Sequence, residues 1–306
     1  MDKAIMIEGQ NGLNWPRWKK IVELVEDLGY SGLFRSDHYT NGSPPDTDSL
    51  ELWISLTWLA DHTRRIQFGP LVTPMSFRNP TITARMASAV DDLSGGRLVL
   101  GLGAGWQERE HRNFGWDLLD GQKRFDRFEE GLEVITRLLN RDQPSNFEGE
   151  YYHLEDAILL PRPQRPGGPP ILIGGNGKNR TLELVARYAS EWNAVYLPPE
   201  EFSRMNALLD RKLLDHGRRA EEVRRSLMTG VLFGRDSADV ERKAKERTQG
   251  QGSPQSLRQR GMIAGTGDEI NVQLANLEQA GVQRVMLQWL DLDDLQGLEE
   301  LARAIL

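Results

Sequence analysis

Cysteine is absent from the 306 residues, which excludes a disulfide framework, a thiolate metal cluster and a cysteine nucleophile, and points to a reducing compartment. Histidine is scarce. The five present, His38, His62, His111, His153 and His216, are dispersed without a His-x-x-x-His or Glu-flanked pair, so no metal site is expected. Long hydrophobic runs are missing too: nothing approaches the ~20 apolar residues of a membrane span. The opening Met1 to Glu8 lacks the basic segment and apolar stretch of a signal peptide. A soluble, cytoplasmic protein is expected. Positive charge is in deficit, with 38 Lys and Arg against 45 Asp and Glu for a net charge of -7. That balance repels a polyphosphate backbone and no concentrated basic face offsets it, so nucleic acid is a poor partner and small molecules are the better one. No Gly-x-Ser-x-Gly elbow anchors a hydrolase triad.

What is present is alternation. Short apolar runs alternate with longer amphipathic ones along the whole chain, the pattern of βα units on a parallel sheet. Eight strands are predicted: Ala4 to Ile7, Gly32 to Ser36, Ile66 to Val72, Arg97 to Gly103, Pro170 to Gly174, Trp192 to Leu197, Leu227 to Gly234, and Arg284 to Leu290. Most are near-continuous Ile, Val and Leu runs, as expected of strands buried on both faces. Between them, Asn14 with Pro16 and Asn79 with Pro80 mark helix starts, while Gly29 and Ser94-Gly95-Gly96 mark helix ends. Leu295, Leu298, Leu301, Ala302 and Ile305 give the last strand a helical cover. The pattern predicts an α/β fold, a (β/α)8 TIM barrel in a single domain over residues 1–306, with an open doubly wound sheet second.

Two stretches exceed what barrel loops need. Gly105 to Gly121 is an insertion after strand four that should lie over the active face. Asp142 to Pro169, before strand five, contains a possible hairpin at Asn146 to Tyr152 and should sit at the opposite end as an embellishment. Gln249 to Gly265 could be a mobile lid or a packed pair of turns.

Polar groups at the carboxyl ends of barrel strands face the catalytic mouth. Glu8 follows strand one, Asp37 and His38 strand two, Thr73 strand three, Gly105, Trp106 and Gln107 strand four, and Gly174, Gly175 and Asn176 strand five. An Asp-His pair offers an imidazole acid or base beside a carboxylate, or a histidine that only hydrogen-bonds a loop. Gly174-Gly175-Asn176-Gly177 before a helix presents backbone amides in a setting that attracts phosphate, with Lys178 and Arg180 nearby, or is simply a tight turn. Gly101-Leu102-Gly103-Ala104-Gly105 is not a dinucleotide fingerprint, because Trp106 stands where the last glycine is needed. Its glycines would let a flat ligand or a neighbouring backbone come close. Among the tryptophans, Trp106 and Trp192 lie nearest the expected mouth.

Several blocks together resemble the luciferase-like monooxygenase family of flavin- or deazaflavin-dependent barrels. They are Leu28 to His38; Phe68 to Pro74 with Phe77-Arg78-Asn79-Pro80; Leu93 to Arg97 with Gly101 to Trp106; Arg124-Phe125-Asp126-Arg127; and Pro170 to Gly175. They are most similar to the branch of coenzyme F420-dependent oxidoreductases. The resemblance implies a non-prolyl cis peptide between Leu71 and Val72 behind the ring, Asp37 at the ring edge, and His38 as proton donor or acceptor with Glu8 as the alternative. It also implies amides of Gly174 and Gly175 on the cofactor phosphate. The cofactor wall is then expected from Asp37, His38, Leu71, Val72, Thr73, Gly103, Gly105, Trp106, Gln107, Gly174, Gly175 and Asn176. The implied activity is F420-dependent hydride transfer to or from a small organic substrate. The alternatives are an FMN-dependent monooxygenase of the same fold and a non-catalytic flavin-binding barrel. Arg35, Arg78 and Arg109 could meet the anionic polyglutamate tail of F420. A homodimer is expected, with Trp53, Leu56, Trp58 and Leu59 as a possible face.

Overall fold

Residues 1–306 are all described by the computed structural model. In chain order the elements are β1 (Asp2–Ile7), α1 (Trp15–Leu28), β2 (Gly32–Arg35), α2 (Leu52–His62), β3 (Gln67–Pro70), β4 (Thr73–Pro74), α3 (Pro80–Leu93), β5 (Leu100–Gly103), α4 (Glu108–Phe114) and α5 (Gly121–Asn140). There follow β6 (Ser145–Glu148), β7 (His153–Ala157), β8 (Ile171–Gly174), α6 (Thr181–Tyr188), β9 (Glu191–Val195), α7 (Pro199–Asp215), β10 (Arg224–Phe233), α8 (Ser237–Arg247), α9 (Pro254–Gln259), β11 (Ile263–Gly265), α10 (Gly267–Gln279), β12 (Arg284–Gln288) and α11 (Leu295–Ile305).

The parallel strands run in the order β3-β2-β1-β12-β10-β9-β8-β5-β4. Because β3 and β4 are two halves of one strand, the two ends of that order meet. Phe68 bridges Leu98 there, and the Val99 amide donates to the Phe68 carbonyl at 2.8 Å. The result is a barrel of eight parallel strands jacketed by helices. Side chains alternate as the pleat requires. Ala4 and Met6 join Phe34, Leu71, Val99, Leu172 and Met286 inside the barrel, while Ile5 and Ile7 pack outward against the helices. The amino-terminal end is plugged by a buried Arg284–Glu191 pair at 3.0 Å, with Gln67 on the same guanidinium.

The caps read from sequence are in place. Asn14 accepts the Arg17 amide, Asn79 accepts the Thr81 amide, and Gly29 takes φ 96°, a left-handed value that favours glycine.

Four features differ from the sequence expectations or extend them. Strand three, expected as one run from Ile66 to Val72, is broken at Leu71-Val72, where the peptide bond is cis as the resemblance implied. The Gln249 to Gly265 stretch holds α9 and a short strand, β11, which pairs with β10 beyond the barrel wall. The hairpin is β6–β7, and it departs from the amino-terminal end. Its tip nevertheless climbs along α5: Glu130 accepts the amides of Glu150, Tyr151 and Tyr152, and the Tyr152 hydroxyl donates to the Met75 carbonyl near the exit of strand three. The fourth concerns the suggested dimer face. Trp53, Leu56 and Leu59 are buried in the protein's own core, and Trp58 packs between Trp15 and His62. No helix is long and apolar enough to cross a membrane.

Candidate active site

A cavity of about 540 Å³ opens at the carboxyl ends of the strands. Its floor is the break in strand three. Val72 projects inward there, and neighbouring strands make room by carrying glycine. A Cβ on Gly103 would stand 2.6 Å from a Val72 methyl, one on Gly101 2.0 Å from the Pro70 carbonyl oxygen, and one on Gly174 3.2 Å from Val72. Those glycines answer to close approach and not to backbone conformation.

On one side His38 leans into the cavity. Its Nδ1 lies 2.9 Å from Glu110 Oε1, and the other oxygen of Glu110 accepts the Tyr39 amide at 3.1 Å. Glu110 is 1% exposed and the His38 side chain 16%. Burial alone pushes the imidazole pKa down. The hydrogen bond and charge of Glu110, helped by Glu8 and Asp37, outweigh it, so the His38 pKa is raised above the ordinary histidine value. With Nδ1 held by the carboxylate, Nε2 is left for the cavity. Trp106, 65% exposed, stands edge-on to the ring at 5.5 Å and covers it at the rim.

Across from His38, Glu8 is fixed by Gln288 Nε2 at 2.6 Å and Gln10 Nε2 at 2.9 Å, and the Tyr196 hydroxyl bonds Gln288 in turn. Tyr196 holds φ 51°, an uncommon conformation for a side chain of this size.

At strand five the geometry corrects a detail of the expected phosphate corner. The Gly175 amide donates to the Asn193 carbonyl at 2.9 Å, and the Trp192 indole donates to the Gly175 carbonyl, so both backbone polar groups of Gly175 belong to the scaffold. Asn176 spends both ends of its side chain on the backbone of Val195. Lys178 lies 3.8 Å from Glu201 and Arg180 pairs with Asp126. What remains is Arg124, from the first turn of α5. It lines the cavity without a protein partner, and its Nε is buried and unsatisfied. Thr181 lines the same corner. An unpaired guanidinium and a hydroxyl beside a turned glycine, Gly175 at φ 125°, fit an anionic group such as a phosphate.

Of the predicted residues, the structure brings Glu8, His38, Leu71, Val72, Gly103, Gly105, Trp106, Gly174 and Gly175 to the cavity wall. It does not bring Asp37, Thr73, Gln107 or Asn176 there. Asp37 is 3% exposed and clasped by Arg78 Nε and Nη2 at 3.0 and 2.7 Å, with the Thr73 hydroxyl at 3.2 Å. It braces the strand end under His38 instead of facing a ring. Gln107 donates to the Thr40 carbonyl. Trp192 is fully buried against Phe202, away from the mouth. Arg35 is buried on Ser55 and Leu50, Arg78 pairs with Asp37 and Glu51, and Arg109 with Asp46, so none is free for a polyglutamate tail.

The sequence reading missed Glu110, Arg124, Thr181, Tyr196 and Gln288. Tyr196 and Gln288 lie at the ends of strands six and eight, where the same strand-end rule finds them. No group of three or more acidic or histidine side chains is placed to hold a metal ion.

The family model of luciferase-like monooxygenases matches residues 5–289. Among curated relatives, the chain is 31% identical over 197 residues to 4-hydroxyprotoasukamycin monooxygenase of Streptomyces nodosus subsp. asukaensis, covering 64% of this chain and 52% of that protein. It is 32% identical over 174 residues to the F420-dependent glucose-6-phosphate dehydrogenase of Amycolatopsis mediterranei, covering 54% and 47%. The chain thus spans about half the length of the curated relatives it matches. Among solved structures, an F420-dependent secondary alcohol dehydrogenase in complex with an F420-acetone adduct superposes with TM-score 0.81 at 17% identity over 100% of this chain and 99% of that one. The monooxygenase RslO1 from Streptomyces bottropensis gives 0.82 at 20% over 99% and 97%. These superpositions bear on the fold, and the family match extends almost end to end. With a barrel mouth built from the same blocks that carried the resemblance, this chain belongs to the luciferase-like monooxygenase family.

Proposed function

We propose that the protein is a coenzyme F420-dependent oxidoreductase exchanging hydride with a small organic substrate. The observation that carries this is the His38–Glu110 pair opening on the same cavity as the unpaired Arg124 and Thr181. Arg124 and Thr181 would hold the cofactor phosphate, and Val72 with Gly103 and Gly174 would back its ring. When bound, a deazaflavin supplies the hydride donor or acceptor. Adding hydride to a carbon–oxygen or carbon–carbon double bond leaves one proton to deliver. His38 gives that proton from Nε2 in the reductive direction and takes it in the oxidative one, with Glu110 holding the imidazole in place and favouring its charged form. Glu8, fixed by Gln10 and Gln288, is the second group able to move a proton. The likeness to F420-dependent glucose-6-phosphate dehydrogenases supports this reading.

A second reading is an FMN-dependent monooxygenase, favoured by the 31% identity to a monooxygenase and by a corner that suits the phosphate of either flavin. Titrating the purified protein with oxidised F420 and with FMN, followed by absorbance and fluorescence, decides between them. Binding of F420 that weakens in Arg124→Ala is expected. Tight FMN binding with none for F420 reverses the ranking. Flavin binding by the unaltered protein without turnover with any reductant or substrate leaves a flavin-binding barrel, whereas turnover unchanged in His38→Ala removes His38 from the proton step.

A further inference from the structure

The charges that face the catalytic cavity are few and unevenly placed. Arg124 is the one Lys or Arg side chain in its wall, and it stands at the corner with Thr181 that suits a cofactor phosphate. His38, Glu110 and Glu8 make up the rest of the charged wall. A charged His38 is answered by Glu110 at 2.9 Å, so the carboxylate of Glu8 is left over. The arginines nearby are outside the wall and engaged elsewhere. Arg78 pairs with Asp37 and Glu51, and Arg35 is buried on Ser55 and Leu50 with the same two carboxylates near it. Arg247 lines the neighbouring hollow. An anionic group brought to the reacting end would therefore meet a carboxylate with no cation in the wall to offset it, and like charges set against each other are costly.

Glu8 also has acceptor capacity to spare. An ionised carboxylate offers about four acceptor positions, and the chain supplies two donors: Gln288 Nε2 at 2.6 Å on one oxygen and Gln10 Nε2 at 2.9 Å on the other. Those two amides hold the group in place. The hydroxyls beside it in the wall are turned to other partners, Tyr196 to Gln288 and Ser36 to Gln10. Donors for the open positions come from outside the chain. Between the charged groups the wall is apolar, with Met6, Val72, Ala104 and Met228, and with Trp106 at the rim.

We propose that Glu8 sets the substrate class: the substrates are uncharged compounds with an apolar body that donate a hydroxyl to Glu8, and carboxylates and phosphate esters are excluded from the reacting end of the cavity. The inference rests on the oxidoreductase reading for the chemistry at His38, but the selection by charge is a property of the chain and is tested without turnover.

The test uses the full chain free of cofactor, with its eight tryptophans isotope-labelled for nuclear magnetic resonance and the Trp106 indole signal assigned from Trp106→Phe. Four probes share one ring, so that apolar contact is held constant: a vicinal cyclohexanediol, cyclohexanone, cyclohexanecarboxylate and cyclohexyl phosphate. Each is titrated into the wild-type protein and into Arg124→Ala, which removes the cation at the other end. The diol should shift the Trp106 signal in both proteins. In Arg124→Ala the two anions should need about tenfold more than the diol, or beyond. Cyclohexanone, with no hydroxyl to donate, should bind several-fold more weakly than the diol. Glu8→Gln should bring the anions within about threefold of the diol and narrow the gap between diol and ketone. Glu8→Asp keeps the charge, so it should weaken the diol and go on excluding the anions, which separates selection by charge from damage to the fold. Three results overturn the proposal: the diol leaves the Trp106 signal unmoved, either anion matches the diol in Arg124→Ala, or the preference for the diol over the anions is the same in Glu8→Gln as in wild type. Failure of the oxidoreductase reading shows separately, as no binding of F420 or FMN by a protein that still sorts the four probes as expected.

Discussion

Replacing Arg78 by Met should unfold the protein more easily in a way that depends on pH, and the size follows from what Arg78 touches. Its guanidinium makes two hydrogen bonds to Asp37 and one to Glu51 at 2.8 Å, and lies over the rings of Tyr39 and Phe77. Methionine keeps part of the packing and removes the charge. Asp37, 3% exposed, is then left with the Thr73 hydroxyl alone. Breaking a buried pair from one side costs about 3–5 kcal/mol. With the specific unfolding entropy of globular proteins, that is a drop of roughly 5–8 °C in Tm for a chain of this length.

Burial already raises the Asp37 pKa, and the charge of Arg78 is the largest influence opposing it. Without Arg78 it rises further. A carboxyl whose folded pKa lies above its unfolded value is most favourable to folding below the unfolded value and loses that advantage as pH rises through the folded one. The deficit of the variant should therefore be smallest near pH 4.5 and grow toward pH 8. Urea melts followed by tryptophan fluorescence across that range measure it. Adding Asp37→Asn to the variant should recover most of the loss at pH 8. A deficit below about 1 kcal/mol, or one flat with pH and unrelieved by Asp37→Asn, would refute the bracing role given to the pair.

Four further outcomes are expected. In Glu110→Gln the His38 pKa should fall, because the hydrogen bond and charge that raise it are weakened; the limb of the kcat/KM profile that needs protonated His38 should move to lower pH, and an unmoved limb would separate His38 from the proton step. The stability contributed by charged His38, present at low pH and lost as pH rises through its raised folded pKa, should vanish earlier in the same variant. Arg124→Ala should weaken flavin or F420 binding by about ten- to hundredfold and leave Tm almost unchanged, since no protein group loses a partner. Gly101→Ala should cost more than about 3 kcal/mol, because the Cβ meets the Pro70 carbonyl oxygen at 2.0 Å, whereas Gly217→Ala, with nothing within 4 Å but φ 68°, should cost only about 1 kcal/mol; chemical denaturation compares them.

The barrel was legible because its strands are apolar runs of the kind buried on both faces, and because there are eight of them with helical covers, two more than an open doubly wound sheet accounts for. β11 escaped because three residues, Ile263 to Gly265, make too short a run to stand out from a polar stretch. The site was legible where chain order places a polar group directly after a strand, as with Glu8 and His38. Orientation was not legible: adjacent residues at a strand end point opposite ways, so His38 enters the cavity while Asp37 turns to Arg78. Glu110 was hidden for another reason. The inward face of α4 is polar, with Glu110 and His111 buried following Gln107, and apolar periodicity says nothing about such a helix. Arg124 stood within a matched block, but its lack of a partner is a fact about space.

Val72 sits where three glycines of two adjoining strands have surrendered their side chains to it. Remodelling that floor would call for coordinated replacement of several positions at once, an improbable route for stepwise change. Diversification of chemistry within such an architecture is therefore channelled into the rim, where α4 and the segment from Asp236 to Thr266 can vary without disturbing the valine's berth. A library meant to alter selectivity should randomise those segments, Glu110 excepted, and leave residues 101, 103 and 174 untouched.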